Sequence, residues 1–268
     1  GLERQYSLLS SGPAPAQYEI AVKKEADGRG GSAFVHDRLA VGDTIAALPP
    51  RNDFPLKEDA ALSILIGGGI GITPLIAMAE RLAEIDRPFR FHAAFRSAAD
   101  MLLRDRIGRY AQLALHFDDE AGSLFPMAAA VSAAPPGAHL YCCGPAPMIE
   151  SFLASARAAG RDEATLHFEY FTPPAAVPQD GSFIVELARS GLELIVPPRK
   201  SILEVVREAG IDAPSSCEQG TCGACETKVL AGIPDHFDAV LTPQDRKAGK
   251  SMMICCSGAL SDRLVLDL

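Results

Sequence analysis

Apolar and polar positions along the chain follow three successive patterns. From residue 58 to 171, short apolar runs alternate with helical periods. The runs are Leu62–Ile66, Phe89–Phe95, Leu113–Phe117, His139–Cys143 and Leu166–Phe171. Between them, 74–85 and 147–159 read as helices. In the first of these, Ile76, Ala79, Leu82 and Ala83 mark one face, and Thr73 as N-cap with Pro74 at the first position is a start signal. Strand and helix in alternation predict a doubly wound parallel α/β sheet.

The flanks differ. Residues 1–57 read as β structure, with an apolar run at Ile20-Ala21-Val22, a turn into a strand at 41–45, and an irregular proline-rich end at 49–55. Residues 172–181 are a linker by composition, stiffened by proline. Beyond it, 182–187 and 192–196 form a hairpin around Ser190-Gly191. A helix follows at 202–209, then a cysteine-rich loop, and then strands that end at 264–268. This last part, 182–268, reads as a small α+β domain.

A length of 268 residues suits two or three domains. The formal charge of -9 argues against nucleic acid or an anionic membrane surface as partner, and suits docking on a basic protein. No apolar run reaches the length of a membrane span, and no signal-peptide pattern opens the chain, so the expected location is cytoplasmic. Five of the seven cysteines lie in the last 52 residues, a clustering that points to a metal or redox centre rather than a disulfide framework.

The sharpest motif is Cys217-Glu218-Gln219-Gly220-Thr221-Cys222-Gly223-Ala224-Cys225, with Cys255 after 29 intervening residues. The C-x4-C-x2-C…C spacing is that of plant-type [2Fe-2S] ferredoxins. Two irons need two thiolates each, and Gly220 and Gly223 let the loop curl around them. Zinc sites prefer two C-x2-C knuckles, and only Cys222 with Cys225 forms one here. The expected metal ligands are therefore Cys217, Cys222, Cys225 and Cys255. Cys255 and Cys256 are adjacent, so in an extended strand only one of them faces the cluster; the 29-residue spacing selects Cys255, as in plant-type ferredoxins.

These strings, with Met252-Met253-Ile254-Cys255-Cys256-Ser257 and the closing Leu264-Val265-Leu266-Asp267-Leu268, resemble the ferredoxin (β-grasp) domain of the phthalate dioxygenase reductase and vanillate O-demethylase reductase family. The resemblance extends upstream. The run Gly67-Gly68-Gly69-Ile70-Gly71-Ile72-Thr73-Pro74 sits between a strand and a helix, where glycines admit a pyrophosphate and the helix N-terminus favours its charge. It is similar to the turn of ferredoxin-reductase-like NAD(P) domains. There, a segment like Cys143-Gly144-Pro145-Ala146-Pro147-Met148 lies beside the nicotinamide; Cys143 taken alone reads as a core residue. Arg96 follows the second strand, where an Arg hints at NADPH, whereas the resembling reductases prefer NADH.

The same resemblance places FMN. Arg4-Gln5-Tyr6-Ser7 matches the family's R-x-Y-S pattern, which implies Arg4 on the flavin phosphate and Tyr6 and Ser7 along the isoalloxazine. Gly28-Arg29-Gly30-Gly31-Ser32 matches a second phosphate segment, in which Arg29 gives a forked donor and Ser32 a hydroxyl. Phe171 or Tyr170 is expected to pack near the flavin. The family's barrel begins well before its R-x-Y-S motif, and only three residues precede it here, so a partial β-barrel flavin domain is expected over 1–57. The implied route is NADH to FMN to [2Fe-2S] to a terminal oxygenase, usually of Rieske non-haem iron type and acting on aromatic compounds. Two alternatives stay open: a ferredoxin-type carrier without a functional flavin, and a reductase for a haem oxygenase.

Overall fold

The computed structural model describes residues 4–10, 17–26, 28, 30–171 and 181–268. The chain divides into two units, Gly1–Phe171 and Thr172–Leu268. The expected linker lies outside the described residues, except for Gly181.

The first unit opens with a short helix, α1 (Gly31–Asp37). Its sheet contains β1 (Ser63–Gly68), β2 (Phe89–Phe95), β3 (Leu113–Phe117), β4 (His139–Gly144) and β5 (Leu166–Tyr170), all parallel, in the order β3-β2-β1-β4-β5. Helix α2 (Ile72–Glu84) links β1 to β2. Three short helices, α3 (Arg104–Ile107), α4 (Asp118–Ala121) and α5 (Met127–Ser132), precede β4, and α6 (Ala146–Ala158) links β4 to β5. Every residue of β1 is buried, as a central strand covered on both faces requires. Leu75, Ile76, Ala79 and Leu82 of α2 are wholly or almost wholly buried and pack with Leu65 and Phe91. Full burial of each Leu or Ile side chain is worth about 1.5–3 kcal/mol.

Two expectations need correction here. Thr73 is not the N-cap of α2. Gly71 holds that position, and Thr73, in the first turn, donates its hydroxyl to the Ile70 carbonyl (2.9 Å). Among the described residues before 58 there is only one isolated bridge, Leu8 to Ile20; the turn expected at 41–42 forms, with Asp43 N–H donating to the Ala40 carbonyl (3.1 Å), but the strand after it has no β partner. A strand needs a neighbour to pair its backbone; with none, Val41, Ile45 and Leu48 stay exposed. The segment is nonetheless anchored. Leu9 is buried in the α/β core, and Arg106 donates to the Leu9 carbonyl (2.9 Å) and to Glu19 (2.5 Å).

The second unit wraps a mixed sheet around one helix. Its strands are β6 (Phe183–Leu187), β7 (Leu192–Val196), β8 (Glu226–Ala231), β10 (Ser251–Met253) and β12 (Arg263–Leu266), in the order β10-β8-β12-β6-β7. A separate pair joins β9 (Pro234–Asp235) to β11 (Gly258–Ala259). The β6–β7 turn uses Gly191 at φ 68°, which a side chain would resist. Helix α7 (Ile202–Glu208) begins with a capping box between Ser201 and Glu204, worth about 1 kcal/mol. It buries Ile202, Leu203 and Val206 against Val185, Leu187, Met252, Ile254 and Leu264. A further helix, α8 (Pro243–Ala248), carries a second capping box.

Candidate redox sites

The loop that follows α7 gathers the cysteines. Cys217 lies beside Cys222, whose Sγ accepts from Cys217 N–H (3.5 Å), and Cys255 lies beside both Cys225 and Cys256. Among the described residues no group of three or more His, Cys, Asp or Glu is gathered for a single ion. Four thiols in two pairs fit a two-iron cluster instead, since each iron takes two thiolates. Backbone N–H groups of Gln219 (3.3 Å) and Thr221 (3.5 Å) donate to Cys217 Sγ, and that of Ala224 (3.4 Å) to Cys222 Sγ. Gly220 (φ 71°) and Gly223 (φ 73°) supply the left-handed turns. The hydrogen bond from Cys222, with those from Thr221 and Gln219, holds Cys217 down at about 4; the same bond, with burial, pushes Cys222 up. Bonding to Cys255, then burial, also pushes Cys225 up. Cys255, lowered by Cys225 but raised by Cys256 and burial, ends at about 12. Of the four only Cys217 favours the thiolate; the other three hold their protons, which a cation bound among them would displace.

Cys255 and Cys256 do not lie in an extended strand. β10 ends at Met253, and 254–256 form a turn closed by Cys256 N–H on the Met253 carbonyl (3.2 Å). Cys255 still meets Cys225, while Cys256 Sγ lies where a side chain on Gly220 would go.

In the first unit, β1 leads to β2 and β3 on one side, and the chain then crosses to β4 on the other. The ends of β1 and β4 thus flank the reversal point of the sheet, where open α/β folds bind ligands. Gly67 pairs with Cys143 across these strands. A Cβ on Gly71 would collide with the Cys143 carbonyl and come within 2.6 Å of Gly144 N, and one on Gly144 would meet Met148 Sδ at 2.9 Å. Gly69, at φ 54°, has open space on its side-chain face. Bare backbone of this kind fits a pyrophosphate. Cys143 itself is fully buried in the core, and burial pushes its thiol well up; its backbone is what meets the glycine turn. Gly144 and Pro145 follow directly, Pro145 as the N-cap of α6. Arg96 is exposed just past β2, and its carbonyl accepts from Asp119 N–H (3.0 Å). Phe171, past β5, is 37% exposed.

The two candidate phosphate segments come together. A Cβ on Gly31 would sit 2.6 Å from Cγ and Nε of Arg4, so the guanidinium arm lies across the start of α1. Gly30 precedes the helix at φ 80°, and Ser32 Oγ accepts from Glu25 N–H (3.1 Å). Burial raises Tyr6 against the lowering charge of Arg4. An arginine beside glycine backbone fits an anion such as a flavin phosphate. Ser7 is half-buried nearby in sequence, and Arg29 lies outside the described residues.

One residue escaped the sequence reading. Glu169 pairs with Cys143 in the β4–β5 register, and its Oε2 is buried without a hydrogen-bond partner. Burial, then the nearby Asp53 charge, raises its carboxyl to about 7. The available signal was a lone acid inside the apolar string His167-Phe168-Glu169-Tyr170-Phe171.

Residues 185–260 match the family model of the 2Fe-2S iron-sulfur cluster binding domain. The whole chain is 46% identical to the phenoxybenzoate dioxygenase subunit beta of Ectopseudomonas oleovorans, and spans 84% of it. Among solved structures it is similar to phthalate dioxygenase reductase (36% identity, TM-score 0.68, 98% of this chain and 83% of that one). It is also similar to a type IV self-sufficient cytochrome P450 monooxygenase (37%, TM-score 0.85), of which it spans 35%. A doubly wound nucleotide domain and a separate cluster-binding sheet on one chain define an iron-sulfur flavoprotein oxidoreductase. The chain belongs to the phthalate dioxygenase reductase family, whose members include the reductase subunits of multicomponent oxygenases. No helix among the described residues is long and apolar enough to cross a membrane.

Proposed function

We propose that this protein takes electrons from NADH, carries them through FMN to a [2Fe-2S] cluster, and delivers them to a terminal oxygenase of Rieske non-haem iron type. The two thiol pairs, Cys217 with Cys222 and Cys225 with Cys255, carry this reading. A flavin supplies the one chemistry that joins a two-electron donor to a one-electron acceptor. In this reading Arg4, Arg29, Gly30, Gly31 and Ser32 hold the flavin phosphate, and Tyr6 and Ser7 border the ring, with Phe171 near it. Gly68, Gly69 and Gly71 take the pyrophosphate at the turn closed by Thr73. Cys143, Gly144 and Pro145 form the backbone floor beside the nicotinamide. Arg96 faces the ribose end. The domain limits that go with these roles are 1–57, 58–171 and 182–268.

The test is NADH-dependent cytochrome c reduction, with and without added FMN and with NADPH as comparator. Activity that needs FMN and prefers NADH supports the route. Cluster bands without any flavin-dependent turnover would favour a simple ferredoxin carrier. A haem oxygenase as acceptor is the second reading, favoured by the similarity to part of a P450 monooxygenase.

A further inference from the structure

Glu218 stands in the cluster loop at φ 54°, a left-handed backbone that a residue with a side chain resists. Its position is consequential, because the following N–H, that of Gln219, reaches Cys217 Sγ at 3.3 Å. The side chain of Glu218 is held from outside the loop. Arg207 donates Nη1 to Glu218 Oε1 (2.6 Å) and Nη2 to Ser215 Oγ. One guanidinium therefore grips the chain on both sides of Cys217. Arg207 lies in the last turn of α7, a helix set firmly in the core by Val205 and Val206. The same helix also braces the other arm of the site, since Leu203 N–H donates to the Ile254 carbonyl (2.9 Å), one residue before Cys255.

We propose that Arg207 is a positioning residue: it holds Glu218 in the left-handed conformation, keeps the Gln219 N–H on Cys217 Sγ, and so sets the reduction potential of the cluster. Hydrogen bonds to cluster sulfurs favour the more negative, reduced state and raise the potential. Arg207 also adds a positive charge near the loop, which would act in the same direction without any clamp. The two effects separate by backbone cost. The inference rests on Cys217 being a ligand, and that reading is tested independently by Cys217→Ser, which must abolish or badly perturb the cluster's visible and EPR spectra.

The experiment is a redox titration of the cluster, read by visible absorbance and EPR, on the full chain. Arg207→Ala is expected to keep the cluster but weaken its reduction about tenfold, a fall of about 59 mV for a one-electron centre. Two double variants of equal charge then decide the cause. Arg207→Ala with Glu218→Gly should return to the wild-type potential, because glycine takes the left-handed turn unaided. Arg207→Ala with Glu218→Ala should stay about tenfold low. Equal potentials in the two doubles would overturn the clamp, as would an unchanged potential in Arg207→Ala. Where Arg207→Ala does not retain the cluster, Glu218→Ala and Glu218→Gly are compared with Arg207 intact, and the alanine variant must again be the lower.

Discussion

Replacing Glu169 by Gln should flatten the pH dependence of the first unit's stability. The carboxyl moves from an ordinary 4.5 to about 7 on folding, mainly through burial. At about 1.4 kcal/mol per pKa unit, this is roughly 3 kcal/mol of preference for the neutral form. A raised folded pKa gives stability that is whole below pH 4.5, declines as pH rises toward 7, and is gone above it. Wild type should therefore lose up to about 3 kcal/mol between pH 4.5 and 8 from this group alone, while Glu169→Gln loses none of it. The two proteins should be close at pH 5, and the variant should be the more stable at pH 8. The assay is urea unfolding followed by near-UV tyrosine signal. All five tyrosines lie before residue 171 and the chain has no tryptophan, so this signal reports on the first unit. Curves that run parallel from pH 5 to pH 8 would refute a neutral, buried Glu169.

Two further outcomes follow from the sites. Gly71→Ala should push the β1 turn off the Cys143–Gly144 backbone and cost NADH affinity on the order of 100-fold, about 2.7 kcal/mol, with cluster absorbance unchanged; titration of NADH against bound flavin fluorescence checks it. Cys255→Ser should abolish or badly perturb the cluster's visible and EPR spectra while Cys256→Ser leaves them nearly native, and reversed results would exchange the ligand assignment.

What could be read from the chain alone, and what could not, divides along the range of the interactions involved. β2 and β3 begin and end where the runs Phe89–Phe95 and Leu113–Phe117 do, although β2 carries an exposed Arg90 and β3, at the edge of the sheet, buries none of its residues. The cysteine motif was legible because three of its four thiols sit within nine residues, and loop chemistry is local. α1 was hidden: its seven residues follow a cluster of glycines, which reads as a turn, and Arg4 lies against its first residue from 27 positions away. The 254–256 turn was not legible because its residues are all apolar and carry no turn signal, yet β10 stops at Met253 and the Ile254 carbonyl accepts from Leu203 N–H. Glu169 and Arg207 make the same point more strongly. Each is an ordinary charged residue in the sequence. Glu169 gains meaning only from the register that sets it beside Cys143, and Arg207 only from the fold that returns the cluster loop to the end of α7. Motifs thus mark candidate cofactor sites built from residues close together in the chain. The groups packed around those motifs come from elements that the fold brings back to them, and they are found by following hydrogen bonds and register outward from the motif.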